Sequence, residues 1–277
     1  MLRYKKKLTK KRLGRNKKRF TRHINHRGGS VSNPNDLKFG IMAIFKNEAM
    51  GIREWVEHYK WQGADEILLL DNNSTDNGAD LIKGIPHVTV VNAPKSHAQK
   101  EQYNTIGMPW LKEKKIDIIA IVDLDEFMFG KEGKKLKERV LEVFTRENRP
   151  SQFSCQWTMF GSSGISTQPE SIRKSFIYRK RDLDPNIKSV MWVKDVEENG
   201  LNLHVSKVKG ETVTCPANIQ LNHYAIQSKE YFEKVKMKRG DASNPLTDKV
   251  RDWNYFEKYD HNDLEDRQLL KMVEAQT

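Results

Sequence analysis

Residues 116–130 read IDIIAIVDLDEFMFG, and the way this stretch folds decides the architecture. Ile116 and the run from Ile118 to Val122 are aliphatic or Ala, interrupted only by Asp117, which suits a strand buried on both faces better than an amphipathic helix. Two carboxylates, Asp123 and Asp125, then arrive at its C-terminal end. In open α/β sheets ligands bind beyond the carboxyl ends of the strands, and paired hard oxygen donors there suit a divalent cation. Acidic residues also end strands and cap helices without binding anything, so the neighbouring segments have to decide.

Upstream the pattern is strand, helix, strand. Leu37–Phe45 predicts a first strand, and Ile52, Trp55, Val56 and Tyr59 recur as one face of a helix that Gly63 ends. Glu66–Leu70 predicts a second strand finishing at Asp71, followed by NNSTDNG, whose residues favour turns and helix caps. A third strand is expected at Val88–Val91 and a helix within Gln99–Lys114, so the strands should pair in parallel through right-handed crossovers. Downstream, Leu136, Val140, Val143 and Phe144 predict a helix, and Phe153, Cys155, Trp157 and Met159 alternate as a half-buried strand does. Further strands are expected at Ser189–Val193, Leu203–Val208 and Asn218–Leu221, with helices over Lys229–Arg239 and around Leu264, Leu269, Leu270 and Val273. The expected fold class is α/β, a Rossmann-like mixed sheet with helices on both faces in a single domain.

The net charge of +12 is not spread evenly. Residues 1–30 hold thirteen Lys and Arg and no acid, which leaves 36 basic against 37 acidic residues in the rest of the 277-residue chain. The basicity therefore belongs to a tail, taken here as residues 1–35, which like-charge repulsion should keep unfolded. It could meet an anionic membrane or nucleic acid, or merely aid solubility. No run of about 18 apolar residues occurs, so no spanning helix is expected. Cys155 and Cys215 are too few for a disulfide framework and lack metal-ligand spacing; they suit a reducing, cytoplasmic compartment without excluding one bridge.

Four segments in order, FKNEAMGIREWVEHYKWQGADEILLLDNNSTD (45–76), IVDLDEF (121–127), FGSSG (160–164) and LNHYAIQSKEYFEKVKMKRG (221–240), resemble the family 2-like and family 92-type glycosyltransferases of the GT-A fold. The resemblance covers about Lys38 to Gly240 and implies one GT-A-like domain over 36–240, with 241–277 as a C-terminal helical extension. It implies transfer of a sugar from a UDP- or GDP-linked donor to a glycan, lipid or protein hydroxyl, with Mn2+ or Mg2+ stabilising the leaving diphosphate and inversion at the anomeric carbon. Asp123 would face the cation, the ribose or a bound water, and Asp125 would be the surer metal ligand. Glu126, if the pleat continues, points elsewhere and is structural. His223 matches the late histidine of such enzymes, with His204 as its rival. Asp71, Asn47 and Glu48 would border the nucleobase pocket, although Asn47 or Glu48 could instead begin the following helix. Asp76 is read as a cap. Asp195 would take the acceptor's proton, with Glu197 and Glu198 as competitors. FGSSG would offer backbone amides to a ligand, and Trp157, Trp192 and Trp253 are candidate sugar platforms, at least one of them only packing.

Two other classes remain open on sequence alone. IIAIVDLDEF also resembles the haloacid-dehalogenase-like phosphatases, with Asp123 as nucleophile, but Phe127 and the lack of a clear later acidic pair depart from that pattern. A nucleic-acid-binding protein acting through its tail is the third.

Overall fold

In the computed structural model, which describes residues 33, 36–239 and 251–276, the first strand β1 (Phe39–Phe45) is buried along its whole length. Its side chains alternate between two cores, as the two-residue period of a strand requires. Phe39, Ile41, Ala43 and Phe45 join one core with Trp55, Val56 and Tyr59 of the helix Ile52–Trp61. Met42 and Ile44 join the other with Tyr103, Trp110 and Leu111 of the helical stretch spanning residues 99–114. Helices thus cover both faces of the sheet, as expected.

The remaining strands are β2 (Glu66–Asp71), β3 (Val88–Asn92), β4 (Ile118–Ile121), β5 (Glu126–Gly130), β6 (Gln152–Met159), β7 (Tyr178–Arg179), β8 (Asp184–Trp192), β9 (Thr212–Thr214), β10 (Ile219–His223) and β11 (Leu264–Glu265). The main sheet runs β3-β2-β1-β4-β8-β6-β10-β5, with β9 on β6, while β7 and β11 pair separately. β1 pairs in parallel with β2 and β4, and β2 with β3, which is the crossover architecture of the first half. β8 then runs antiparallel to both β4 and β6, β10 parallel to β6, and β5 antiparallel to β10. Consequently the C-terminal ends of β1, β2, β4, β6 and β10 and the N-terminal ends of β8 and β5 share one rim.

Three expectations need correction. β4 stops before Asp123, as expected, but the pleat does not continue past the aspartates: a turn closed by Glu126 N–H donating to the Asp123 carbonyl at 3.1 Å starts β5 on another part of the sheet. No strand forms at Leu203–Val208, where only an isolated bridge joins Val208 to Val196. There the carboxamide of Gln152 takes the place of a ladder, accepting from Ser206 N–H and donating to Ser206 C=O, each at 3.1 Å. Cys155 and Cys215 form a disulfide between β6 and the segment after β9, so the reduced pair suggested by their scarcity is not what the fold holds.

Among the described residues no helix is long and apolar enough to cross a membrane. The tail of residues 1–30, with its expected membrane or nucleic-acid contact, lies outside the described residues.

Candidate active site at the carboxyl rim of the sheet

The turn after β4 is pinned from below by the Ile52–Trp61 helix. Trp55 donates its indole N–H to the carbonyls of Asp123 and Glu126 at 2.9 and 3.1 Å, and the Tyr59 hydroxyl donates to Glu126 C=O at 3.0 Å. The apolar period that predicts this helix therefore also supplies two polar tips that fix the acidic turn. From the far side Tyr224 N–H donates to Asp125 C=O at 2.8 Å.

Three side chains converge above this turn. Asp125, Glu126 and His223 are all buried, and each offers a ligand atom within 4.8 Å of the others. The sheet register explains the meeting, since Glu126 at the start of β5 stands opposite His223 at the end of β10. His223 Nε2 lies 3.5 Å from Asp125 Oδ2, and its ring packs tilted against Trp157 at 4.2 Å between centroids. His223 Nδ1 and Glu126 Oε1 are buried without a hydrogen-bond partner. Orphaned buried acceptors of this kind are uncommon and call for an occupant. Two carboxylates and an imidazole form a donor set suited to Mn2+ or Mg2+, so the residues present fit the cation the resemblance implies.

Two ammonium groups balance the acids. Lys188, fully buried on β8, donates to Asp123 Oδ2 at 2.8 Å and stands 3.6 Å from Glu126 Oε2. Lys236 donates to Asp125 Oδ2. Burial works against the charged form of Asp125, but Lys236 and His223 outweigh it and hold the carboxyl well below its usual range. Burial dominates at Glu126 and pushes it up to about 7 in spite of Lys188. Lys188 itself is held above its ordinary value, because the attraction of Asp123 and Glu126 overcomes its burial.

The other expected site residues divide. Asp71 ends β2 beside Phe45, on the same rim, and its Oδ1 accepts from Ser74 N–H at 2.9 Å. Asn47 has a left-handed φ of 55° and ties the end of β1 to the next loop, its Oδ1 accepting from Thr75 N–H at 2.7 Å. Glu48 is buried and already engaged, by the Tyr231 hydroxyl at 2.7 Å and by Arg239. Neither caps the following helix, which starts without a side-chain cap. Asp76 accepts from Gly78 N–H at 3.0 Å and from Ala49 N–H at 2.8 Å, but the short helix that begins at Gly78 has Asn77 at its N-cap and no side-chain cap, so the expected capping role of Asp76 is replaced by a tie between two loops. Asp123 is partly exposed and held by Lys188 outside the buried trio. His204 places Nδ1 at the Ile187 carbonyl at 2.9 Å and its ring, like that of His223, beside Trp157, and His223 is the histidine within 3.5 Å of Asp125.

Asp195 is not at this site. β8 runs antiparallel to β4 and pairs Trp192 with Ile118, which carries the following Val193–Asp195 turn to the opposite rim. There Asp195 accepts from Arg149 at 2.6 Å and Ser151 at 2.9 Å; burial opposes its charge, but these bonds hold its pKa below the ordinary value. FGSSG also turns out to be structural. Its amides serve the C-terminal arm, Ser162 N–H donating to Asp260 Oδ1 at 2.7 Å and Ser163 N–H to Asn262 Oδ1 at 3.0 Å. Gly161 permits that approach, because a Cβ there would lie 2.3 Å from His261 O. Trp192 is buried packing beneath Arg149, whereas Trp253 is exposed.

Sequence reasoning places Glu126 away from the site and does not single out Lys188, Lys236, Tyr231 or Arg239. The last three lie on one segment, where Tyr231 and Arg239 hold Glu48 while Lys236 holds Asp125. Residues Phe232–Lys236 of that segment form a π turn, whose hydrogen bonds run over five residues and bring Tyr231 and Lys236 toward the same side.

A mixed sheet thus carries a buried carboxylate–imidazole trio at its carboxyl rim. The chain belongs to glycosyltransferase family 92, which it matches over residues 37–272. No curated protein matches it significantly in sequence. Among solved structures it is similar to residues 1–349 of S. aureus TarS, at 14% identity and a TM-score of 0.41 over 71% of this chain and 63% of that one. It is also similar to HddC from Yersinia pseudotuberculosis, at 12% identity and a TM-score of 0.41 over 72% of this chain and 97% of that one. A third is glucosyl-3-phosphoglycerate synthase from Mycobacterium tuberculosis, at 12% identity and a TM-score of 0.37 over 61% of this chain and 64% of that one. These likenesses are partial, and another structure of S. aureus TarS is matched over 38% of its chain.

Proposed function

We propose that this chain transfers a sugar from a nucleotide-sugar donor, UDP- or GDP-linked, to a hydroxyl of a glycan, lipid or protein, in a reaction that depends on Mn2+ or Mg2+. The observation that carries the proposal is the buried trio of Asp125, Glu126 and His223, with an unpartnered oxygen and an unpartnered nitrogen, in a member of a glycosyltransferase family. Asp125 and His223 would hold the cation together with Glu126, and the cation would supply Lewis-acid stabilisation of the departing diphosphate. Lys188 keeps Asp123 oriented at the mouth of the site, where its part-exposed carboxylate would meet the ribose or a bound water. Asp71, on the same rim with Oδ1 engaged by its own loop, is the proposed contact to the base edge. Asn47 and Glu48 shape that pocket through the partners that fix them.

Inversion at the anomeric carbon is part of the proposal, and the anomeric configuration of the product, read by NMR, tests it. A thermal-shift and hydrolysis screen of sugar nucleotides with and without Mn2+ tests the whole. Stabilisation by one donor only with metal supports it, and indifference to every donor counts against it. The Cys155–Cys215 disulfide favours an oxidising compartment over the cytoplasm. Family membership leaves the phosphatase alternative without support, and Asp123 spends one carboxylate oxygen on Lys188.

A further inference from the structure

Three carboxylates, Asp123, Asp125 and Glu126, meet two ammonium groups at this site, and the two ammonium groups are not equivalent. Lys188 is anchored in the middle of β8, is fully buried, and pairs most closely with Asp123, outside the trio, at 2.8 Å, its distance to the trio member Glu126 being the longer 3.6 Å. Lys236 sits at the end of a π turn and pairs with Asp125 Oδ2, the same oxygen that faces His223 Nε2 at 3.5 Å. A divalent ion held by Asp125 and His223 would have to share this oxygen with an ammonium group. Two cations so close repel strongly in a buried setting. The lysine stem is long and flexible, and its segment already departs from regular α-helical geometry.

We propose that Lys236 is the resident counter-cation of this site: a divalent ion displaces its ammonium group from Asp125, and the freed group moves to the diphosphate of the nucleotide. The inference rests on the metal-site proposal above and adds to it an order of events. With Lys236 on Asp125 the carboxylate is neutralised and the trio is kept intact without metal. With the ion in place, the same lysine adds positive charge where the leaving diphosphate develops negative charge.

The test is Mn2+ binding to the whole chain, without nucleotide, by titration calorimetry on the wild type, Lys236→Met and Lys236→Arg. Lys236→Met should bind Mn2+ at least tenfold more tightly, since the competing charge is gone, and Lys236→Arg should stay within about threefold of the wild type. Unchanged or weaker binding in a folded Lys236→Met variant overturns the proposal while leaving the metal site standing. Absence of Mn2+ binding in the wild type and in both variants overturns both. Should Lys236→Met fail to fold, acetylation of the wild type decides: Lys236 should be protected without metal and reactive once Mg2+ is added. Protection that persists at saturating Mg2+ overturns displacement.

Discussion

The indole N–H of Trp55 lies 2.9 Å from the carbonyl oxygen of Asp123, so a residue on the buried face of the first helix holds the backbone of the acidic turn. The same N–H is shared with Glu126 C=O at 3.1 Å, which links the packing of the helix to the placement of two carboxylates. The relationship makes the site sensitive to a residue that touches no ligand.

Replacing Trp55 by Phe keeps an apolar ring but takes one of two donors from each carbonyl, leaving Asp123 C=O with Glu126 N–H and Glu126 C=O with the Tyr59 hydroxyl. A loss of about 1–3 kcal/mol in urea unfolding is expected. Mn2+ affinity should fall with it, because Glu126 is positioned through this turn. A variant with reduced stability and unchanged Mn2+ binding would show that the turn holds its shape without the indole.

Asp195→Asn should leave sugar transfer within about threefold of the wild type, whereas loss of a general base costs about 100-fold or more. Its effect should appear in thermal stability, through the weakened contacts to Arg149 and Ser151. A steady-state rate comparison with a melting curve separates the two.

Much of the fold was legible because each strand near the centre is buried on both faces and each covering helix carries an apolar stripe. The strand at Leu37–Phe45 and the helix face of Ile52, Trp55, Val56 and Tyr59 are of this kind. Asp125 and His223 were legible through the family resemblance, and the sheet brings them together. The nearness of Glu126 to His223 was not legible, because the turn at Asp123–Glu126 resets the alternation; one of its oxygens accepts from Asp123 N–H at 2.8 Å and the group stands beside His223. Asp195 was misplaced because distance along the chain does not reveal which rim an antiparallel strand delivers its end to. Lys188 and Lys236 carry no local signal, since a lysine that is buried against an acid and one that is solvated look alike in sequence.

The buried His58 predicts an acid-labile stability. Burial, helped by Arg173, depresses its pKa to about 3 despite the hydrogen bond to Met128 C=O, so the folded protein holds it neutral. The unfolded chain binds a proton near its ordinary value of 6.5 while the folded one does not. The contribution is thus fully present above about pH 6.5 and lost as pH falls toward 3, on the order of 5 kcal/mol in all. Urea titrations of the wild type and His58→Phe across this range should show the smaller pH slope in the variant; equal slopes would place the acid sensitivity elsewhere.

Gly161→Ala should loosen the C-terminal arm, because the added Cβ meets the backbone oxygen of His261. Destabilisation of about 1–3 kcal/mol is expected, as for other overpacked contacts. Hydrogen exchange at the Ser162 and Ser163 amides, which bond to Asp260 and Asn262, should rise selectively. Unchanged exchange would mean that the arm yields without releasing the loop.

The most direct measurement is calorimetric titration of UDP and GDP into the wild type and Asp125→Ala, each with Mn2+ and with chelator. For one of the two nucleotides, wild-type affinity should fall at least tenfold on chelation, and Asp125→Ala should show the weak affinity under both conditions while keeping the native circular dichroism at assay temperature, its melting temperature lowered because Lys236 loses its buried partner. Equal affinity with and without metal in the wild type, matched by Asp125→Ala, would contradict the assignment of a cation to Asp125, Glu126 and His223.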